Sequence, residues 1–173
     1  GLVAGHDPLV QRRGAVAWGT AAISVPSAAD WHVAARAGGP LAGPSQTINR
    51  GELTALSHFV AETEGPAIFV TDSLYVKRGW GRIAQGGNPP QTNRDLWEGL
   101  RRLATGRSLV VEKIESHLDM ADVLRAGIDI RLWIGSSFAD TMAPELEPIA
   151  QVPDAEAAAV HFMDDIAEVT GLR

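Results

Sequence analysis

Cysteine is absent from this chain of 173 residues. Disulfides and thiolate metal sites are therefore excluded. Long apolar runs are absent too. Hydrophobic residues make up 45% of the chain, yet none of their runs approaches the ~18 residues a spanning helix needs. No basic segment leads into an apolar stretch, so no secretory signal is visible. Positive charge is in deficit: 15 Lys and Arg stand against 21 Asp and Glu, a formal net charge of -6. That argues against a protein that holds nucleic acid by bulk charge alone. A local basic stripe remains open, because Lys77, Arg78, Arg82, Arg94, Arg101, Arg102 and Arg107 gather in the middle third while the tail is acidic. There is no internal repeat and no low-complexity block. The length suits one domain with a real core. The first residue is Gly rather than Met, and the opening reads as the inside of a loop. The expectation is a fragment of a longer polypeptide, or a chain whose first strand has been cut off.

Gly14 to Val25 is rich in Ala, Val and Ile with little charge and reads as a buried strand. A turn cluster at Pro26 to Asp30 leads into a second, antiparallel strand over Trp31 to Arg36, and Gly38 to Pro44 reads as a loop. From Asn49 the period becomes helical, with Leu53, Leu56, Phe59 and Val60 on one face. Asn49 and Glu52 resemble a capping box, and Gly65-Pro66 ends the helix. Ala67 to Thr71 reads as a strand, Ser73 to Ile83 as a helix, Gln85 to Thr92 as a loop, Asp95 to Thr105 as a helix and Ser108 to Ile114 as a strand. A short helix is expected before Gly127, another from Ser136 to a stop at Pro144, and a tail helix over Asp154 to Val169. This order predicts an α/β fold: one mixed sheet with helices on its faces. The domain is expected over residues 1–150, followed by an acidic helix or linker over 151–173. The tail helix is expected to pack its apolar side on the domain or to link to a neighbour.

Three acids invite comparison. Glu52 opens a helix, Asp72 ends an apolar strand and Asp140 lies early in a late helix. Each has an ordinary structural reading: the reciprocal half of a capping box, an N-cap, and a helix-dipole partner near Ser137. Taken as a set they have another. The end of a strand and nearby helix starts can converge at one edge of an α/β sheet. Carboxylates gathered there repel one another unless a cation lies between them. Hard oxygen ligands select Mg²⁺ or Mn²⁺. Two such ions can clamp the attacking and leaving oxygens of a phosphodiester.

The order of motifs resembles a known family. Asn49-Arg-Gly-Glu-Leu53 is similar to the N-R-x-E-L run of type 1 ribonucleases H, and Thr71-Asp-Ser-Leu-Tyr-Val76 to their T-D-S-x-Y-V strand end. Asp95-Leu-Trp97 resembles the D-L-W helix start, and Lys113-Ile-Glu-Ser-His117 the K-x-x-S/G-H segment. Ser137-Phe-Ala-Asp-Thr-Met-Ala143 resembles the N-x-x-A-D-x-x-A helix. The likeness covers about residues 14–143. The Gly39-Pro-Leu-Ala-Gly-Pro44 connector and the Asp7-Pro-Leu-Val-Gln-Arg-Arg13 opening further resemble domains encoded with non-LTR retroelement reverse transcriptases.

The resemblance implies a ribonuclease H-like mixed sheet of five strands flanked by helices, and Mg²⁺- or Mn²⁺-dependent hydrolysis of the RNA strand of an RNA–DNA hybrid. It implies that Glu52, Asp72 and Asp140 hold a two-ion site. His117 would assist proton transfer or product release. Asn49, Ser73, Lys77 and Arg78 would meet the nucleic acid, and neighbouring domains of a polyprotein are implied as partners. Two departures stand out. Ser137 replaces the usual Asn, and no D-G-S motif, which carries the family's first catalytic Asp, occurs in the chain. Asp7, followed by Pro8, aligns better with the loop after that motif. The first strand and its Asp are therefore expected upstream of Gly1, and activity of this fragment is expected to be impaired. The alternative is an inactive remnant that binds nucleic acid or organises partner domains; an exonuclease or integrase of the same superfamily ranks third. Beside Asp72, Lys77, Arg78 and Arg82 are candidates to track a phosphate backbone. Trp80 has two readings, stacking on a sugar or base and packing in the core. Trp18, Trp31 and Trp97 read as core.

Overall fold

The computed structural model describes residues 15–23, 31–43, 45–151 and 154–170. The Asp7-Pro8 opening lies outside the described residues. Strands β1 (Ala15–Ile23) and β2 (Trp31–Pro40) form an antiparallel pair with Ala15 opposite Pro40 and Ile23 opposite Trp31. The register slips once, between Thr20 and Ala21. The strand expected to stop at Arg36 continues through Gly38-Gly39-Pro40, because these residues find backbone partners in Ala17, Val16 and Ala15. Ladder pairing overrides the poor strand preference of Gly, and Pro is tolerated at a strand end.

Helix α1 (Ile48–Glu62) follows, then strand β3 (Ala67–Thr71), helices α2 (Leu74–Ala84) and α3 (Arg94–Leu103), and strand β4 (Leu109–Lys113). β3 and β4 are parallel, with Ala67 opposite Leu109 and Thr71 opposite Lys113. Alternation along both strands puts Phe69, Thr71, Leu109 and Val111 inside. Against them pack Leu53, Leu56, Phe59 and Val60 of α1, Val76, Trp80 and Ile83 of α2, and Trp97 and Leu100 of α3. The Phe59 and Phe69 rings meet in a tilted contact with centroids 5.4 Å apart. The opposite face of this ladder is open: the cross-strand neighbours Ile68 and Val110 are 57% and 43% exposed.

The expected sheet of five strands is not formed among the described residues. Four strands make two separate pairs, β1–β2 and β3–β4, so β1 and β3 each keep one edge without a strand partner there. Helix α5 (Ile130–Ala150) lies along β1 and β2 and also reaches β3, while α1 also touches β1. These helices span both pairs.

The chain's caps depart from expectation. Thr47, not Asn49, caps α1, its side chain accepting from the Arg50 N–H. Helix α4 (Met120–Ala126) ends at Gly127, whose φ of 65° closes the turn. α5 starts six residues before the expected Ser136, because Asp129 accepts from the Arg131 N–H and caps it there. It also runs through Pro144 to Ala150. Pro144 is exposed; its ring removes the N–H that would have reached the carbonyl of Asp140, and solvent on that side makes the loss bearable. Helix α6 (Asp154–Val169) forms as expected but buries nothing: Phe162, Met163 and Val169 are exposed. The packing of its apolar side on the domain is therefore not realised among the described residues. No helix among them is long and apolar enough to cross a membrane.

Candidate active site

The three acids come from three elements. Glu52 lies in the second turn of α1, half-buried. Asp72 follows the last residue of β3, exposed, in the two-residue turn before α2. Asp140 sits in the middle of α5, exposed. β3 and α1 are tied together at this point. Thr71, the one buried polar residue of the described core, donates its hydroxyl to Glu52 Oε2 at 3.0 Å. The same Oγ1 accepts from the Ser73 N–H at 3.0 Å. One threonine thus fixes both the Glu52 carboxylate and the turn that presents Asp72.

None of the ordinary structural roles is used. Ser73, not Asp72, caps α2, its hydroxyl accepting from the Val76 N–H at 3.3 Å. Glu52 bonds to Thr71 rather than closing a capping box. Asp140 is far from the start of its helix. A carboxylate that is neither a cap nor an ion-pair partner needs another reason to be near two others.

The electrostatics place the three near one another. Burial pushes the Glu52 carboxyl above its usual range. The Thr71 hydrogen bond pulls the other way, and the negative charges of Asp72 and Asp140 add to the rise. Asp140 is raised as well, first by burial and then by Asp72, with His117 opposing. Asp72 therefore acts on both other acids, and His117 lies close enough to Asp140 to be felt by it. His117 is exposed in the loop after β4 and holds a left-handed backbone with φ 61°. That region is sparsely populated by residues other than glycine. Charge interactions thus link Glu52, Asp72 and Asp140 to one another, and Asp140 to His117. Among the described residues no group of three or more His, Cys, Asp or Glu side chains is placed to hold a metal ion. The donor chemistry suits a hard divalent cation: every acid offers oxygen, and a cation would offset both the burial that chiefly raises Glu52 and Asp140 and the repulsion that adds to it.

The expected nucleic-acid residues divide. Asn49 is exposed on the first turn of α1, with no side-chain hydrogen bond among the described residues. Ser73 spends its hydroxyl on the cap. Lys77 is bound to Glu112 of β4 at 2.6 Å, whereas Arg78 stands exposed. Trp80 is core: it is 9% exposed and donates its indole N–H to the Leu109 carbonyl at 2.9 Å.

A polar network joining α1 and α3 had no sequence signal beyond the Asp95-Leu-Trp97 resemblance. Arg50 grips Asp95 with two N–H groups, at 3.2 and 2.8 Å, and reaches Asn93 Oδ1 at 3.3 Å. Asn93 adopts a left-handed conformation, φ 55°, and Tyr75 OH gathers bonds from Asn93 and from Trp97 Nε1 while donating to the Thr92 carbonyl. This network holds the first turn of α1 to the first turn of α3.

No family model matches the chain, and no curated protein matches it. Solved structures resemble it, among them these two. One is LC9-RNase H1, a type 1 RNase H with the type 2 active-site motif, at 18% identity over 78% of this chain and 72% of that one, with a TM-score of 0.44. The other is the foamy viral protease-reverse transcriptase in complex with an RNA/DNA hybrid, at 14% identity over 79% of this chain and 22% of that one, with a TM-score of 0.42. At these TM-scores the likeness carries no weight for function, which has to rest on the residues of this chain.

Proposed function

We propose that this chain is a ribonuclease H-type domain that hydrolyses the RNA strand of RNA–DNA hybrids with a divalent metal. The observation that carries the proposal is the Thr71 hydroxyl that ties Glu52 to the turn presenting Asp72, with Asp140 on a third element felt by Glu52 and neither Asp72 nor Glu52 employed as a cap. The family motifs quoted above fall on these same residues. Glu52, Asp72 and Asp140 would hold Mg²⁺ or Mn²⁺, which supplies an activated water and neutralises charge on the phosphate. Thr71 keeps the Glu52 carboxylate aimed, through the 3.0 Å bond. His117, next to Asp140 in an exposed loop, exchanges a proton with solvent or with the departing product. A further strand seated between β1 and β3 would join the two pairs into one mixed sheet and would bring one more carboxylate to the site.

A second reading, an inactive module that organises nucleic acid or partner domains, is favoured by the donor set: among the described residues no group of three or more His, Cys, Asp or Glu side chains is placed to hold a metal ion. Incubating the chain with a labelled RNA–DNA hybrid separates the two. RNA-strand cleavage that requires Mg²⁺ or Mn²⁺ and drops at least a hundredfold in Asp72→Asn supports the nuclease. Cleavage that is equal in wild type and variant sinks the metal assignment. Binding without cleavage, at any metal concentration, supports the module.

A further inference from the structure

The Tyr75 hydroxyl, in the first turn of α2, is saturated. It donates to the Thr92 carbonyl at 2.7 Å and accepts from Trp97 Nε1 at 2.8 Å and Asn93 Nδ2 at 3.3 Å. A phenol has one proton and two acceptor sites, so none is left over. Its ring lies tilted against Trp97, with centroids 5.6 Å apart. Asn93 carries the link onward, because its Oδ1 accepts from Arg50 Nη1 at 3.3 Å. That orientation of the amide is forced, since a guanidinium can only donate. The Asn93 backbone carbonyl meanwhile accepts from the Leu96 and Trp97 N–H groups. One residue at the start of α3 therefore holds α1 with one end of its amide and α2 with the other. Its left-handed backbone, φ 55°, is one that Asn tolerates better than most residues.

Taken with Thr71, these bonds close a ring around the two acids. Glu52 is joined through the Thr71 hydroxyl to the Ser73 N–H. Ser73 caps α2, and Tyr75 follows in its first turn. Tyr75 is joined through Asn93 to Arg50, which precedes Glu52 on α1 by two residues. The backbone stretches that complete the ring, Arg50 to Glu52 and Ser73 to Tyr75, are a helix and a capped helix start, so neither stretches easily. The junction of β3 with α2 is thus tied to α1 twice, at Thr71 and at Asn93. One tie fixes a distance and leaves a swing about it. Two ties fix the angle as well, which is what a pair of ligands needs.

We propose that Tyr75 is a positioning residue for the carboxylates. Through Asn93 and Arg50 its hydroxyl holds the Asp72 turn in register with Glu52, and it meets neither metal nor substrate itself. The proposal rests on the hybrid-nuclease reading for what the acids do, and not for the ring of bonds.

Two variants cut the same link in different ways. Tyr75→Phe removes the hydroxyl and keeps the ring against Trp97. Asn93→Gly keeps the left-handed backbone and its carbonyl and removes the amide. Neither readout is turnover. Mn²⁺ binding is followed by the electron paramagnetic resonance of the free ion. Hydrogen exchange of the Ser73 N–H, in EDTA, reports the turn that presents Asp72. Each variant should weaken Mn²⁺ about tenfold, the usual scale for a group that orients metal ligands, and should speed Ser73 exchange. The double variant should be no worse than the weaker binder of the two, because both break the Asn93–Tyr75 bond. Arg107→Ala, which unties the far end of α1, is the control for lost stability and should leave both readouts nearly unchanged. Losses in Arg107→Ala equal to those in Tyr75→Phe would overturn the proposal, and so would losses that multiply in the double variant. Mn²⁺ bound equally by wild type and both variants, with Ser73 exchange unchanged, would overturn it alone. Ser73 exchange that quickens in both variants while wild type binds no Mn²⁺ would support the ring and refute the metal reading.

Discussion

Gly79 and Gly99 should respond to alanine with opposite signs. Both lie inside helices, where replacing Gly with Ala ordinarily stabilises by about 1 kcal/mol. At Gly99 on α3 a Cβ meets nothing within 4 Å, so that gain should be realised. At Gly79 on α2 a Cβ would lie 2.2 Å from Trp97 Cζ2 and 2.4 Å from Cη2. Ordinary carbon contacts sit near ~3.5–4 Å, so helix or indole must retreat by more than about 1 Å. Trp97 has nowhere to go: it is fully buried and its indole N–H is bonded to Tyr75 OH at 2.8 Å. Overpacking of this kind costs about 3 kcal/mol, and breaking the Tyr75 bond adds about 1 kcal/mol. Against the propensity gain, the net for Gly79→Ala is a loss of about 2–3 kcal/mol. Urea unfolding followed by circular dichroism should show its midpoint reduced by about 1 M, with Gly99→Ala shifted slightly upward. A Gly79→Ala chain as stable as wild type would refute the close approach of α2 and α3. It would also loosen the placement of Asp72, which enters α2 through the Ser73 cap.

Two further outcomes follow from the site and its supports. Glu52 is raised above the ordinary glutamate value of 4.5, chiefly by burial, so the folded state holds its proton more tightly than the unfolded chain does. The associated stability is present below pH ~4.5 and is lost as pH rises through the folded value. Glu52→Gln, which can still accept from Thr71, should therefore be more stable than wild type at neutral pH, with the gap closing below pH ~4.5; a gap that widens on acidification would contradict the sign. Arg107 binds the carbonyls of Val60 and Thr63 and the Thr63 hydroxyl at 2.7–2.8 Å, with its guanidinium 5.9 Å from the Phe59 ring centroid. It satisfies the orphan carbonyls at the end of α1. Arg107→Ala should cost about 2 kcal/mol by denaturation, and Arg107→Lys should recover less than half, because an ammonium offers no planar fork; full recovery by Lys would contradict this.

The Ala67–Thr71 strand, the buried faces of α1 and α3 and the span of α6 were legible in the sequence, because each follows a local period of apolar residues. The candidates Glu52, Asp72, His117 and Asp140 came from motif order alone, and the structure adds the Thr71 bond to Glu52 and the charge interactions among them. Helix ends were less legible. Thr47 displaced Asn49, Ser73 displaced Asp72, and Asp129 moved the start of α5, since neighbouring residues of equal capping ability compete and only the backbone path chooses among them. β2 ran past Arg36 because pairing with β1 supplied backbone bonds that composition does not report.

What the sequence by itself determined is therefore the segments, their faces and the candidate acids. What only the tertiary structure decided is how those parts are used. Thr71 joins Glu52 to the Asp72 turn across 19 positions of sequence; Lys77 is spent on Glu112 while Arg78 and Arg82 stay free; Trp80 turns inward; and β1–β2 stands apart from β3–β4 among the described strands. The bonds of Thr71, Lys77 and Trp80 are long-range contacts. A local pattern says which groups are available to meet, and only the packing of distant elements says which of them do.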